Sequence, residues 1–125
     1  MNNTSAEYLE GCRAALESEQ ARSLADTAQW SHVDKPQVHR DWDALYRRMA
    51  PLVGHLPAGD AAVQALVAEH FGIVSRFYVP SKQAYIGMGL FYGENADMLN
   101  FHSSYHPGMV PFLAEAMAIH AERCL

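Results

Sequence analysis

The side chains with most to offer a ligand are aromatic rings and thioethers, and they are bunched along the chain. Phe71 to Tyr78, Tyr85 to Tyr92 and Phe101 to Tyr105 hold most of the rings, with Met88, Met98 and Met109 among or beside them. On a helix Tyr85, Met88 and Tyr92 share one face, because they stand at positions i, i+3 and i+7. Rings stack on flat ligands, thioethers adapt their shape, and a tyrosine adds a hydroxyl that needs a partner when buried. The chemistry this supports is binding of a flat, apolar molecule. Taken singly, each of these residues reads more readily as core than as pocket; the case for a pocket rests on their concentration and on the tyrosine hydroxyls.

Other chemistries find less support. Seven histidines raise the question of a metal. His102 and His106 are spaced by four, with Glu94 and Asp97 nearby, but Pro107 breaks the helical face that would align them. No HExxH and no zinc-type Cys/His pairing occurs, so neither metal nor cofactor is expected. His70 could be imagined as a haem ligand, yet no distal pattern accompanies it, and it reads as a hydrogen-bonded histidine on an inner face. Gly-x-Ser-x-Gly, a phosphate-binding loop and Gly-x-Gly-x-x-Gly are all missing. Glu69 and His70 are adjacent, so on a helix they point about 100° apart and form no dyad. Ser103-Ser104, between His102 and His106, reads as a capped turn. Arg76 reads as a solvated arginine, although a helix end would let it meet an anion. An enzyme is therefore not expected.

The elements that must position the rings are helices. Residues 5–27 are rich in Ala, Glu, Gln, Arg and Leu, but their apolar stripe of Tyr8, Leu9, Cys12, Leu16 and Leu24 is thin, and Gly11 interrupts it. Asp34 and Pro36 open a second helix that runs to about Val53, with Pro51 late in it. A third is expected from Asp60 to Tyr78, with Val63, Leu66, Val67, His70, Val74 and Phe77 inward. Ser81 caps a nearly uncharged fourth helix to Gly93, and Asn95 caps a short fifth to Ser103. The last runs from Met109 to Arg123. The expected fold is all-α, one domain of five or six helices, with a core drawn from Trp42, Leu66, Val67, Val74, Leu90, Phe112, Leu113 and Met117. Gly87 and Gly89 inside the fourth helix each cost about 1 kcal/mol relative to Ala, so close packing or room for a ligand must compensate.

With 125 residues and half of them hydrophobic, the chain can bury a proper core. Its net charge of −5 and scattered lysines and arginines argue against direct nucleic-acid contact and against polybasic membrane attachment. No apolar run approaches a membrane span. Met1-Asn2-Asn3-Thr4-Ser5 lacks the pattern of a secretion signal, so a cytoplasmic chain with Cys12 and Cys124 as reduced thiols is expected.

Two stretches, Glu69-His70-Phe71-Gly72-Ile73-Val74-Ser75-Arg76-Phe77-Tyr78 with Ala84-Tyr85-Ile86-Gly87-Met88-Gly89-Leu90-Phe91-Tyr92, and Phe101…Tyr105-His106-Pro107-Gly108-Met109…Phe112-Leu113…Ala116-Met117…His120-Ala121-Glu122, resemble the TipAS antibiotic-recognition family. The likeness is specific from residue 60 to 125; before that only Asp41-Trp42-Asp43-Ala44-Leu45 is familiar. It implies a compact, globin-like helical bundle that traps small molecules, either as the sensor half of MerR-type transcription regulators or as a free-standing drug-sequestering protein. The regulator's DNA-binding helix-turn-helix and coiled coil have no counterpart here, so a free-standing or excised sensor domain, a monomer, is the expectation. Thiopeptide-capturing members carry a cysteine in the helix that matches Pro80 to Tyr92; this chain has Pro80 and Gly87 there and no cysteine, which excludes covalent capture at that place.

The expected function is non-covalent binding of a hydrophobic, aromatic or peptide-like molecule, an antibiotic or similar drug, for sensing or sequestration. The alternative is a helical interaction or dimerisation module. The candidate ligand-binding residues are Trp30, His70, Phe71, Phe77, Tyr78, Tyr85, Met88, Tyr92, Phe101 and Tyr105. They are expected between the helix ending at Tyr78, the helix of Tyr85, Met88 and Tyr92, and the segment Phe101–Tyr105. Residues 1–30 are expected to be a mobile lid, with Trp30 at its end.

Overall fold

Capping side chains decide where the helices begin. Ser5 accepts from the Tyr8 N–H at 3.1 Å and opens α1 (Ala6–Asp26). Asp34 accepts from Gln37 at 3.1 Å at the start of α2 (Lys35–Met49), and Asp60 from Ala62 at 2.9 Å at the start of α3 (Ala61–Val74). Ser81 accepts from Ala84 at 3.2 Å before α4 (Lys82–Glu94), and Asn95 from Met98 at 3.0 Å before α5 (Ala96–Ser103). Only α6 (Met109–Cys124), after Gly108, starts without a side-chain cap. The computed structural model describes residues 5–125, so most of the segment read for a secretion signal lies outside it. Among the described residues there are six α-helices and no strand.

Two helix ends differ from the sequence expectation, each for a local reason. The second α-helix stops at Met49 and tightens into a single 3₁₀ turn, Ala50–Leu52, because Pro51 has no N–H to continue the ladder. The third stops at Val74 rather than at Tyr78. The Ser75 hydroxyl there donates to the Phe71 carbonyl at 2.8 Å, and Arg76 and Phe77 make turn-type bonds to Ile73 and Val74.

The centre of the molecule is α4, packed between α1 and α6. Two of its three glycines, Gly87 and Gly89, stand two residues apart, about 200° around the helix, and so face opposite neighbours. A Cβ at Gly87 would collide with the Cys12 carbonyl of α1, and one at Gly89 would press on Ala114 of α6 at 3.1 Å. Close helix packing is thus what compensates the two glycines. Arg13–Glu94 and Lys82–Glu122 lace these helices at the surface, where such pairs contribute little. Helices α2 and α3 pack on each other and close the bundle. Val67, Val74, Leu113 and Met117 are buried as expected, whereas Trp42, Leu66, Leu90 and Phe112 are only half-buried against the core. No helix among the described residues is long and apolar enough to cross a membrane.

Candidate ligand-binding site

Behind the site runs a line of buried polar groups. His70 is fully buried; its Nδ1 pairs with the Tyr85 hydroxyl at 2.8 Å and its Nε2 with the Tyr92 hydroxyl at 3.2 Å. His102 pairs through Nδ1 with the Met98 carbonyl at 2.7 Å and through Nε2 with the Tyr46 hydroxyl at 3.0 Å. A carbonyl only accepts, so Nδ1 of His102 carries the proton and its Nε2 accepts from Tyr46. His70 bridges the Tyr85 and Tyr92 hydroxyls in the same way, so each ring nitrogen of the two histidines has a partner. Burial pushes the His70 pKa down to about 3 and lowers that of His102, so both rings are neutral. Burial also raises all three tyrosines, which remain protonated. This network is rigid scaffolding, and Tyr92, Tyr46 and His102 present parts of it to the hollows in front.

The first hollow, about 160 Å³, is lined by Gln20, Trp30, Trp42, Val74, Phe77, Tyr78, Met88, Phe91, Tyr92 and Met98. Trp30 reaches it through a left-handed turn in which Ala28, Gln29 and Trp30 have φ of 51°, 63° and 61°. Three such residues in a row are strained, by roughly 1–2 kcal/mol each. Side chains hold the turn: Trp30 donates its Nε1–H to Ser23 Oγ at 2.8 Å, and Thr27 Oγ1 accepts from the Trp30 N–H at 3.0 Å. Trp30 meets Phe77 edge-on at 4.9 Å, and Phe77 stacks on Trp42 at 6.0 Å and 11°. Two residues of this wall each carry a buried polar atom with no hydrogen-bond partner among the described residues, Trp42 Nε1 and the Tyr78 hydroxyl. Burial raises the Tyr78 pKa to about 12, so it keeps its proton. A second hollow of about 330 Å³ adjoins the first, sharing Trp42, Tyr92 and Met98, and adds His39, Tyr46, Asp97, Phe101 and His102.

The expected site residues therefore divide. Trp30, Phe77, Tyr78, Met88 and Tyr92 come together in the first hollow, and Phe101 joins through the second. His70 and Tyr85 stand behind the wall in the polar line. Phe71 packs against Tyr85 at 5.1 Å and His120 at 5.5 Å, away from both hollows. Tyr105 donates its hydroxyl to Asp43 at 2.7 Å and borders a separate polar groove with Arg47. Trp42, expected in the core, stands half-buried between the hollows as their common wall, and Tyr46 and Phe91, outside the expected site residues, also contribute to the lining.

Arg76 pairs with Asp41 at 2.6 Å, and the Ser104 hydroxyl donates to the Phe101 carbonyl as a turn cap. Among the described residues no group of three or more His, Cys, Asp or Glu is placed to hold a metal. Cys12 is buried where α1 crosses α4, and burial pushes its thiol pKa up; Cys124 is exposed at the end of α6. Neither thiol lines a hollow.

The arrangement suits binding: rings and thioethers surround the hollows, and two residues on the walls carry buried donors with no acceptor among the described residues. Comparison with known families matches residues 12–120 to the TipAS antibiotic-recognition domain. The chain belongs to the TipAS family. That family is one of non-catalytic, ligand-binding domains, and antibiotic recognition is the function it implies. Comparisons with curated proteins and with solved structures give no match. The TipAS match takes in all but the first residues of α1 and the end of α6, well beyond the stretch from residue 60 that carried the resemblance.

Proposed function

We propose that this domain binds a flat, hydrophobic molecule, an aromatic or peptide-like antibiotic, non-covalently in the paired hollows floored by Trp42, Tyr92 and Met98, for sensing or sequestration. The observation that carries the reading is an apolar aromatic wall two of whose residues bear buried donors with no partner among the described residues, Trp42 Nε1 and the Tyr78 hydroxyl. A buried donor without an acceptor costs about 1–3 kcal/mol, and a ligand carbonyl would return it. The second hollow alone reaches the size of small-molecule sites, roughly 300–1,000 Å³.

A thermal-shift screen against aromatic antibiotics and peptides tests the reading, because a ligand that binds only the folded state raises the melting temperature. For any hit, Trp42→Ala is expected to weaken binding by about 1–3 kcal/mol, roughly fivefold to 150-fold, as for a lost aromatic anchor. Unchanged affinity in a folded Trp42→Ala protein would place the ligand elsewhere. An interaction module would instead show a melting temperature that depends on protein concentration and on no small molecule.

The position of the thiols supports the non-covalent part of the reading. Replacing Cys12 and Cys124 together with Ser is expected to leave ligand affinity within about threefold, under 1 kcal/mol. A mass increase of the unmodified protein by one ligand, lost in the double variant, would show covalent capture.

A further inference from the structure

Resting on that reading, we infer that the second hollow selects for charge: it is a seat for the cationic end of a flat aromatic ligand, with Asp97 as the specificity-determining residue. Four rings line it, those of Trp42, Tyr46, Tyr92 and Phe101, together with the polarizable Met98 sulfur. Aromatic faces carry negative potential and attract a cation placed over them, most strongly where water is excluded. Asp97, exposed at the rim, brings the one formal charge among the described residues that line the two hollows, and no lysine or arginine is among those residues. Asp97 forms no ion pair among the described residues, whereas Asp41, Asp43 and Glu69 nearby in the bundle are each held by an arginine.

The histidines of the hollow do not oppose a cation. His102 has both ring nitrogens committed, one to Met98 and one to Tyr46. His39 is exposed at the mouth, edge-on to Trp42 at 6.3 Å. The chain's net charge of −5 draws cations toward the surface as well. A rival role for Asp97, in the first turn of α5, is to favour the positive end of the helix dipole, and this explains the acid but not the rings around it.

The test uses two dyes with the same flat xanthene ring system and opposite charge, cationic tetramethylrhodamine methyl ester and anionic fluorescein. The expected result is rhodamine binding at least about tenfold tighter, with Asp97→Asn weakening it about fivefold or more and leaving fluorescein no weaker. Asp97→Glu restores the preference. Glu115→Gln, which removes the same charge from an exposed site on α6, leaves it in place; equal loss in both variants would reduce the effect to net charge and overturn the inference. A preference untouched by Asp97→Asn, while Trp42→Ala still weakens both dyes, overturns charge selection and leaves the paired hollows as the binding site. If neither dye responds to Trp42→Ala, the site itself is wrong and this inference falls with it. Melting temperatures of each variant confirm that the fold is intact.

Discussion

Gly87→Ala is expected to destabilise the protein by about 2–3 kcal/mol, although alanine is the better helix former by about 1 kcal/mol. The new methyl group would meet the Cys12 carbonyl, and the next atoms in its way, the Cys12 carbonyl carbon and the Arg13 nitrogen, are backbone too. Backbone cannot rotate aside as a side-chain tip can. Helix α1 must move off α4, and the contacts of Cys12 and Leu16, both buried in the core, loosen with it. For a domain of this length the loss corresponds to a fall in melting temperature of about 10 °C. Gly11→Ala supplies the opposite sign: nothing lies within 4 Å of the added atom, so the helix preference alone acts and raises stability by about 1 kcal/mol. A Gly87→Ala protein as stable as the parent would mean that α1 does not sit on α4 in solution. Hydrogen exchange across α1 in the same variant checks the mechanism, because α1 should exchange faster while α6 does not.

His70→Leu has the second large effect, a loss of about 2–4 kcal/mol. Leucine fills much of the same volume but leaves the Tyr85 and Tyr92 hydroxyls short of their ring-nitrogen partners. Converting the tyrosines to Phe in the His70→Leu background should recover part of the loss, since a wholly apolar arrangement leaves no donor unpaired. A simple cavity effect would instead grow worse with each change. The pH dependence gives an independent readout. His70 has its pKa lowered to about 3 from an ordinary 6.5, so between those values the unfolded chain binds a proton that the folded one refuses. Stability therefore falls as pH falls below 6.5, by up to about 1.4 kcal/mol per pH unit from this residue. His102 and His120, also lowered by burial, add in the same direction. The carboxylates that arginines hold low, Asp41 and Glu69 among them, are lost only in a more acidic window. In His70→Leu the acid-side slope above pH 5 should be visibly shallower; an unchanged slope would mean that His70 is not the buried neutral base described here.

Much of the helix layout was legible along the chain, because caps and breakers act over a few residues. Asp34, Asp60, Ser81 and Asn95 each announce a helix start through a side chain that reaches the N–H two or three residues on. The composition of the wall was legible in the same way: the segments holding Phe77, Tyr78, Met88, Tyr92 and Phe101 are aromatic-rich in sequence, and the fold brings these residues to two adjoining hollows. Which ring faces a hollow and which faces the core depends on where other helices cross, and spacing along one helix carries no information about that. Tyr85 and Tyr92 lie on one face of α4, yet Tyr85 is sealed behind with His70 while Tyr92 borders both hollows. Trp42 comes from a helix distant in sequence and became the shared wall only when α2 packed against α3. Gly87 and Gly89 signalled that something must come close; that one admits α1 and the other α6 was decided by tertiary packing, because a missing Cβ says how near a neighbour can stand and not which neighbour it is.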